Sequence, residues 1–168
     1  MSRMVLSILV DDTAGVLSRV SGMFSRRGYN IDSLTVGETE TSGISRMTVV
    51  ATGDEQSLDQ IKKQLAKLED VKTIIELADG ESVRRELILV KVAASQKDRQ
   101  AIIAVADIFR AKIVDVSMES MIVELTGNQT KLDAFIKLLE GFEVIEMVRT
   151  GITGLARGAG DLAQDIDD

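Results

Sequence analysis

The sequence predicts an α+β protein made of two ferredoxin-like βαββαβ modules, because the same order of elements occurs twice in its 168 residues. Mostly apolar runs of strand length alternate with stretches whose apolar residues recur at helical spacing. A local repeat supports this interpretation, since Thr-Gly-Asp at residues 52–54 recurs as Thr-Gly-Asn at residues 126–128. In both copies Gly ends a strand, and Asp54 or Asn128 is placed to cap the next helix with a side-chain oxygen.

The first module follows from the apolar pattern of residues 1–78. A strand is expected over residues 5–10, and the helix after it ends at Arg27 and Gly28, with Gly as the stop signal. Strands around residues 33–36 and 47–52 flank a polar hairpin, and a second helix leads to a closing strand over residues 71–77. The first helix carries its apolar residues on one face: Val16, Leu17, Val20, Met23 and Phe24.

The second module is assigned to residues 82–150, after a junction near residues 79–81. Strands are expected over residues 87–93, 113–116, 121–126 and 142–148, with a helix after the first and another after the third. Residues 151–168 contain several glycines and acidic residues, which is typical of a flexible C-terminal tail.

Each module of this type covers one sheet face with helices and leaves the other face bare. The second face of the first strand carries Val5, Ser7 and Leu9. A module of roughly 80 residues is only marginally stable and becomes more stable when such residues are covered. Pairing of two copies would cover it, so we expect a homodimer formed through the first module.

Composition excludes several kinds of chemistry. The chain has no Cys and no His, which rules out disulfides, thiolate or imidazole metal sites, and Ser-His or Cys-His catalysis. Its net charge of -7 is spread along the sequence and argues against a nucleic-acid face. No apolar run approaches the roughly 20 residues of a membrane span, and no signal peptide is recognisable. A paired-carboxylate or Lys mechanism stays open, and we expect a cytoplasmic protein.

The turn from Asp11 to Gly15, between a buried strand and an amphipathic helix, is the best candidate for a small-ligand site. Backbone N–H groups at a helix start lack partners and lie at the positive end of the dipole, so they can hold a carboxylate. Gly15 permits close approach, and Asp12 can hold an ammonium group. An amino acid fits both features, and Asn30, at the start of the second strand, is a further candidate contact. The alternative is that Asp11, Asp12 and Thr13 only cap the helix.

Several stretches resemble the small regulatory subunit of acetohydroxyacid synthase, also called acetolactate synthase, whose amino-terminal half is an ACT domain. The most specific are Phe-Ser-Arg-Arg-Gly-Tyr-Asn-Ile-Asp-Ser-Leu-Thr-Val at residues 24–36 and Phe-Arg-Ala-Lys-Ile-Val-Asp at residues 109–115. Further similarity at residues 45–48, 63–68 and 131–136 extends the resemblance over nearly the whole chain.

The resemblance implies a subunit without catalysis, which activates a large catalytic subunit and confers feedback inhibition by valine, leucine or isoleucine. Thiamine diphosphate, Mg and FAD are expected on that large subunit and not on this chain. The family's inhibitor lies between the ACT domains of two small subunits. Its site residues match Gly15, Asn30 and Ile31, with Val16 and Val36 as flanking apolar contacts. Asp12 replaces a common Asn, and its charge attracts the ligand's ammonium group but repels the carboxylate.

Three other functions compete with this interpretation. One is a small lyase or isomerase with Asp11 and Asp12 as an acid-base pair, which would show turnover without any partner. Another is an amino-acid-responsive ACT-domain regulator of a different enzyme. The third is a transcription regulator, although the sequence contains no recognisable helix-turn-helix and no basic face.

Overall fold

The computed structural model describes residues 2–160, which form two units. The first unit consists of Met1–Val83 together with the segment that starts at Ile152, and the second unit is Arg84–Gly151. Each unit contains an antiparallel sheet and two helices, which confirms the predicted α+β class.

The first unit has the element order βαββαβ. Its elements are β1 (Ser2–Asp11), α1 (Val16–Arg26), β2 (Ile31–Glu38), β3 (Ile44–Gly53), α2 (Glu55–Ala66) and β4 (Val71–Glu76). The strands lie in the order β2-β3-β1-β4, so β2 and β4 are the two edges of this sheet.

The second unit repeats this order. Its elements are β5 (Ser82–Ala93), α3 (Gln96–Phe109), β6 (Lys112–Val116), β7 (Ser120–Gly127), α4 (Gln129–Leu138), a 3-10 turn (Leu139–Gly141) and β8 (Val144–Arg149). The strands lie in the order β6-β7-β5-β8. Within residues 2–160, the helices are all too short or too polar to cross a membrane.

Alternate residues of β1 form the centre of the first core. Leu6 and Ile8 are completely buried and pack with Phe24 of α1 and Leu65 of α2. Both helices that follow the repeated Thr-Gly motif are capped as predicted. The Asp54 carboxylate accepts from the Ser57 N–H at 2.7 Å, and the Asn128 side chain accepts from the Lys131 N–H at 2.9 Å.

The other face of the first sheet is not bare, contrary to the expectation from the sequence. Ser7, Leu9 and Thr48 are 0%, 1% and 1% exposed in the single chain. Arg46 lies across this face and donates from Nη1 to the Ser7 hydroxyl at 2.6 Å. The Arg46 side chain therefore accounts for part of this burial.

The start of the expected flexible tail is part of the first unit. Ile152 is 3% exposed and packs against Val5, Val50 and Leu77 on the face of the sheet opposite the helices. Residues Thr153–Ala156 then form β9, which pairs with β5, whose first residues belong to the same unit. The tail expectation is not met for these residues, because Ile152 buries an apolar side chain and the residues after it form the backbone hydrogen bonds of β9. The rest of the predicted tail, residues 161–168, lies outside the described residues.

Candidate functional site

The turn between β1 and α1 starts the helix without a side-chain cap. Gly15 is the N-cap residue, with φ 87° in the left-handed region, and no side chain accepts a hydrogen bond from the first turn of α1. A left-handed φ favours glycine, because a Cβ would clash with the backbone. The side-chain capping role considered for Asp11, Asp12 and Thr13 is therefore absent. The Val16 N–H donates to the Thr13 carbonyl oxygen at 3.5 Å, and the next N–H groups of α1 lack acceptors within the helix.

The two aspartates of this turn have different surroundings. Asp11 forms an ion pair with Lys72 at 3.2 Å, and its backbone N–H donates to the Asp70 carbonyl oxygen. The Asp12 N–H donates to the Gly43 carbonyl oxygen at 2.9 Å, while the Asp12 side chain is exposed. Among the ion pairs of the described residues, Asp12 has none. Asp12 therefore presents a free carboxylate at the turn.

Arg19, one helical turn after Gly15, was not identified from the sequence. A Cβ built on Gly15 would lie 2.8 Å from Arg19 Nη1 and 3.6 Å from Cζ, so the guanidinium lies directly against the glycine. Arg19 Nε donates to the Asp70 carboxylate, and this hydrogen bond lowers the pKa of Asp70 below its ordinary value. The spacing of four residues on one helix was the available signal, because such residues lie above one another on the same face.

Val16 and Val36 differ in accessibility. Val16 is buried in the core, and Val36 is 51% exposed near the end of β2. Val36 pairs with Met47 of β3, which in turn pairs with Ile8 of β1. This register places Val36 at the same end of the sheet as the β1–α1 turn.

Asn30 and Ile31 lie at the opposite end of the sheet. Ile31 pairs with Ala51, and Ala51 pairs with Met4 near the start of β1. The turn containing Gly15 follows Asp11, so at about 3.3 Å per residue the two groups are separated by roughly 20 Å along the strands. A single chain therefore does not bring Asn30 to Gly15.

The Asn30 amide is oriented by its neighbours. Its Nδ2 donates to Asp32 Oδ1 at 2.9 Å, and the Thr52 hydroxyl donates to the other oxygen of the same carboxylate. Because the amino group is engaged, the Asn30 amide oxygen is left to accept a donor from outside. Asn30 itself is exposed.

Within residues 2–160, no group of three or more carboxylate side chains lies close enough together to hold a metal ion.

Both halves of the chain match known protein families. Residues 6–73 match the family described as the AHAS small subunit-like ACT domain, and residues 85–158 match the family described as the small subunit of acetolactate synthase. The chain is 50% identical over 156 residues to a probable acetolactate synthase small subunit of Methanothermobacter thermautotrophicus, covering 92% of this chain and 93% of that protein. The chain belongs to the acetolactate synthase small-subunit family.

Two further family members extend the comparison. The acetolactate synthase small subunit of Mycobacterium leprae is 48% identical over 153 residues, which cover 91% of this chain and 90% of that protein. The crystal structure of the acetolactate synthase small subunit from Thermotoga maritima superimposes with a TM-score of 0.87 at 41% identity, over 95% of this chain and 100% of that one. The family resemblance read from residues 24–36 and 109–115 is thereby confirmed.

Proposed function

We propose that this small subunit is a non-catalytic regulator that binds a branched-chain amino acid between the ACT domains of two copies. The observation that supports it most is the turn at Gly15, where the start of α1 has no side-chain cap and the Asp12 carboxylate is exposed. The turn therefore offers N–H donors for a carboxylate and an anion for an ammonium group.

A homodimer through β2 would complete the site. β2 is an edge strand, and an edge strand offers unpaired backbone groups to a second chain. In an antiparallel pair of β2 strands, the start of one strand faces the end of the other. The end of β2 lies beside the β1–α1 turn, because Glu38 and Val10 both pair with Ser45. The second copy's Asn30 would thus reach the end of the sheet that carries Gly15.

This arrangement gives each part of an amino acid a partner. The carboxylate would meet the N–H groups at the start of α1, and the ammonium group would meet Asp12 and the amide oxygen of the second copy's Asn30. Val36, half exposed, and Ile31 of the second copy would contact an apolar side chain. Val16, being buried, would support the turn from within the core without contacting the ligand.

Regulation requires that the ligand bind one arrangement of the dimer better than another. A ligand that bridges two copies meets this condition, since its contacts, and with them its affinity, depend on the relative position of the two copies. The usual coupling range is roughly 5- to 150-fold in affinity. The activity that responds would be that of a large catalytic subunit, which would carry thiamine diphosphate, Mg and FAD, while this chain binds no cofactor.

The second unit is proposed to serve contact or stabilisation and not to bind the same ligand. Where the first unit has its glycine turn, the second has Ala94, which is completely buried and donates from its N–H to the Glu119 carbonyl oxygen at 2.8 Å. Ser95 starts α3 and donates from its hydroxyl to Asp98 at 3.1 Å. This helix start offers no glycine for close approach of a ligand.

The test is calorimetric titration of the full chain with valine, leucine and isoleucine, beside an Asn30→Ala variant. We expect one of the three to bind the wild type, and the variant to lose at least tenfold in affinity, since a charge-assisted hydrogen bond is removed. Gln100→Ala, which truncates an exposed amide on α3 of the second unit, is the matched control and should bind as the wild type does.

A second measurement tests regulation directly. The chain is added to a catalytic acetolactate synthase subunit with and without the amino acid that binds best. The proposal expects a rise in activity on addition of the chain and a fall on addition of the ligand. The proposed function would be excluded if Asn30→Ala left the binding affinity unchanged. It would also be excluded if the activity of the catalytic subunit changed neither on addition of the chain nor on addition of the ligand.

A further inference from the structure

The charges at the β1–α1 turn pose a problem for binding an amino acid. Asp12 attracts an ammonium group but repels a carboxylate only a few ångströms away. The start of α1 contributes about half a positive charge, which is less than the full negative charge of Asp12. Without another cation the turn would favour an amine over an amino acid.

Arg19 supplies that cation. Its Nη1, Cζ and Nη2 lie 2.8, 3.6 and 3.9 Å from the position of a Cβ on Gly15, so the whole guanidinium faces the turn. Its hydrogen bond to Asp70 uses Nε. The remaining Nη1 and Nη2 groups are donors in the planar fork that suits a carboxylate.

The ion pair with Asp70 holds this guanidinium in place. The Arg19 side chain is 48% exposed, and that of Asp70 is 19% exposed. Asp70 is itself fixed, because its carbonyl oxygen accepts the backbone N–H of Asp11 at 2.9 Å. Arg19 is therefore both oriented by its neighbour and open to a ligand.

We propose that Arg19 binds the carboxylate of the effector, so that Arg19 and Asp12 together select a zwitterionic α-amino acid. The inference rests on the proposed function of this turn and adds to it the residue that recognises the carboxylate. It also accounts for Gly15, because a side chain at that position would occupy the space between the guanidinium and the backbone.

The test uses three ligands of nearly equal shape on the full chain. Valine carries both charges, valinamide lacks the carboxylate, and isovalerate lacks the ammonium group. The wild type is expected to bind valine at least tenfold more tightly than valinamide, since hydrogen bonds between charged groups are the strong ones. In Arg19→Gln this ratio should fall to about one, and isovalerate should weaken together with valine while valinamide is unchanged.

Asp70→Asn is the matched control. Both variants lose the ion pair, but only Arg19→Gln loses the guanidinium, so Asp70→Asn should keep the preference for valine. If Arg19→Gln keeps the wild-type ratio of valine to valinamide, the role of Arg19 is overturned while the proposed function stands. If the wild type binds none of the branched-chain amino acids, the proposed function fails and this inference fails with it. Should Arg19→Gln not fold, Arg19→Lys keeps the charge without the planar fork and must reduce the ratio at least threefold.

Discussion

Arg149 of β8 forms a two-pronged ion pair with the buried carboxylate of Glu86 on β5. Its Nε lies 2.9 Å from Oε1 and its Nη2 lies 2.8 Å from Oε2, while Nη1 donates to Asp133 at 3.1 Å. The Glu86 side chain is 4% exposed and that of Arg149 is 28% exposed. Hydrogen bonding to Glu86 raises the pKa of Arg149 above its ordinary value, so the guanidinium stays charged.

Arg149→Met should destabilise the second unit by about 3 kcal/mol at pH 7, because it leaves the Glu86 charge buried without a partner. Urea unfolding followed by circular dichroism measures the change. The double variant Glu86→Gln with Arg149→Met removes both charges and should recover most of the loss. A double variant as unstable as the single one would contradict this account.

Gly15→Ala should destabilise the first unit by about 1 kcal/mol, because alanine resists the left-handed backbone and its Cβ displaces Arg19. Gly22→Ala, on the same helix, is the control. A Cβ there meets Arg26 at an acceptable 3.4 Å, so the better helix propensity of alanine should stabilise the protein. Thermal unfolding should therefore shift in opposite directions for the two variants, and equal shifts would refute the argument.

Asn128→Ala should cost about 1 kcal/mol, because the side-chain oxygen that accepts from Lys131 N–H is lost from the start of α4. Asn128→Asp keeps an acceptor in the same place and should be close to the wild type. Chemical denaturation of both variants separates the loss of the cap from a general effect of substitution. A large loss in the aspartate variant would mean that the amide has another role.

Lowering the pH should reduce the free energy of unfolding of the first unit through protonation of Asp70 and Asp54. The pKa of Asp70 is lowered by its hydrogen bond with Arg19, and that of Asp54 by the N–H of Ser57. A carboxyl group whose pKa is lower in the folded than in the unfolded state stabilises the fold at pH values above its unfolded-state pKa of about 4. This stabilisation is lost as the pH falls through the folded-state pKa. Asp70→Asn should therefore reduce stability at pH 7 and make little difference at pH 2. An equal effect at both pH values would show that the charge is not responsible.

Much of the fold could be predicted from local sequence. The capping roles of Asp54 and Asn128 depend on residues three positions away, and the helical stripes depend on spacings of three and four. The last strand of the second unit was expected from residue 142, but β8 starts at Val144, because the 3-10 turn after α4 extends the helical segment. Such end effects depend on packing as well as on propensity.

Contacts between distant parts of the chain could not be predicted. The burial of Ile152 against Val5 and the coverage of Ser7 by Arg46 join segments far apart in sequence, and periodicity carries no information about them. The candidate site shows the same division. Gly15 and Asp12 were identified from the turn itself, whereas the position of Arg19 depends on Asp70, which is 51 residues away in the sequence.

The place of Ile152 also determines when the first unit can be finished during synthesis. A ribosome makes the chain from its amino terminus, and domains generally fold as they emerge. Here the cluster of Val5, Val50 and Leu77 stays incomplete until Ile152 is synthesised, which happens only after the whole of Arg84–Gly151 has been made. The unit that is synthesised first is thus completed last, and a nascent chain arrested before residue 152 would leave Val5, Val50 and Leu77 without the contact of Ile152.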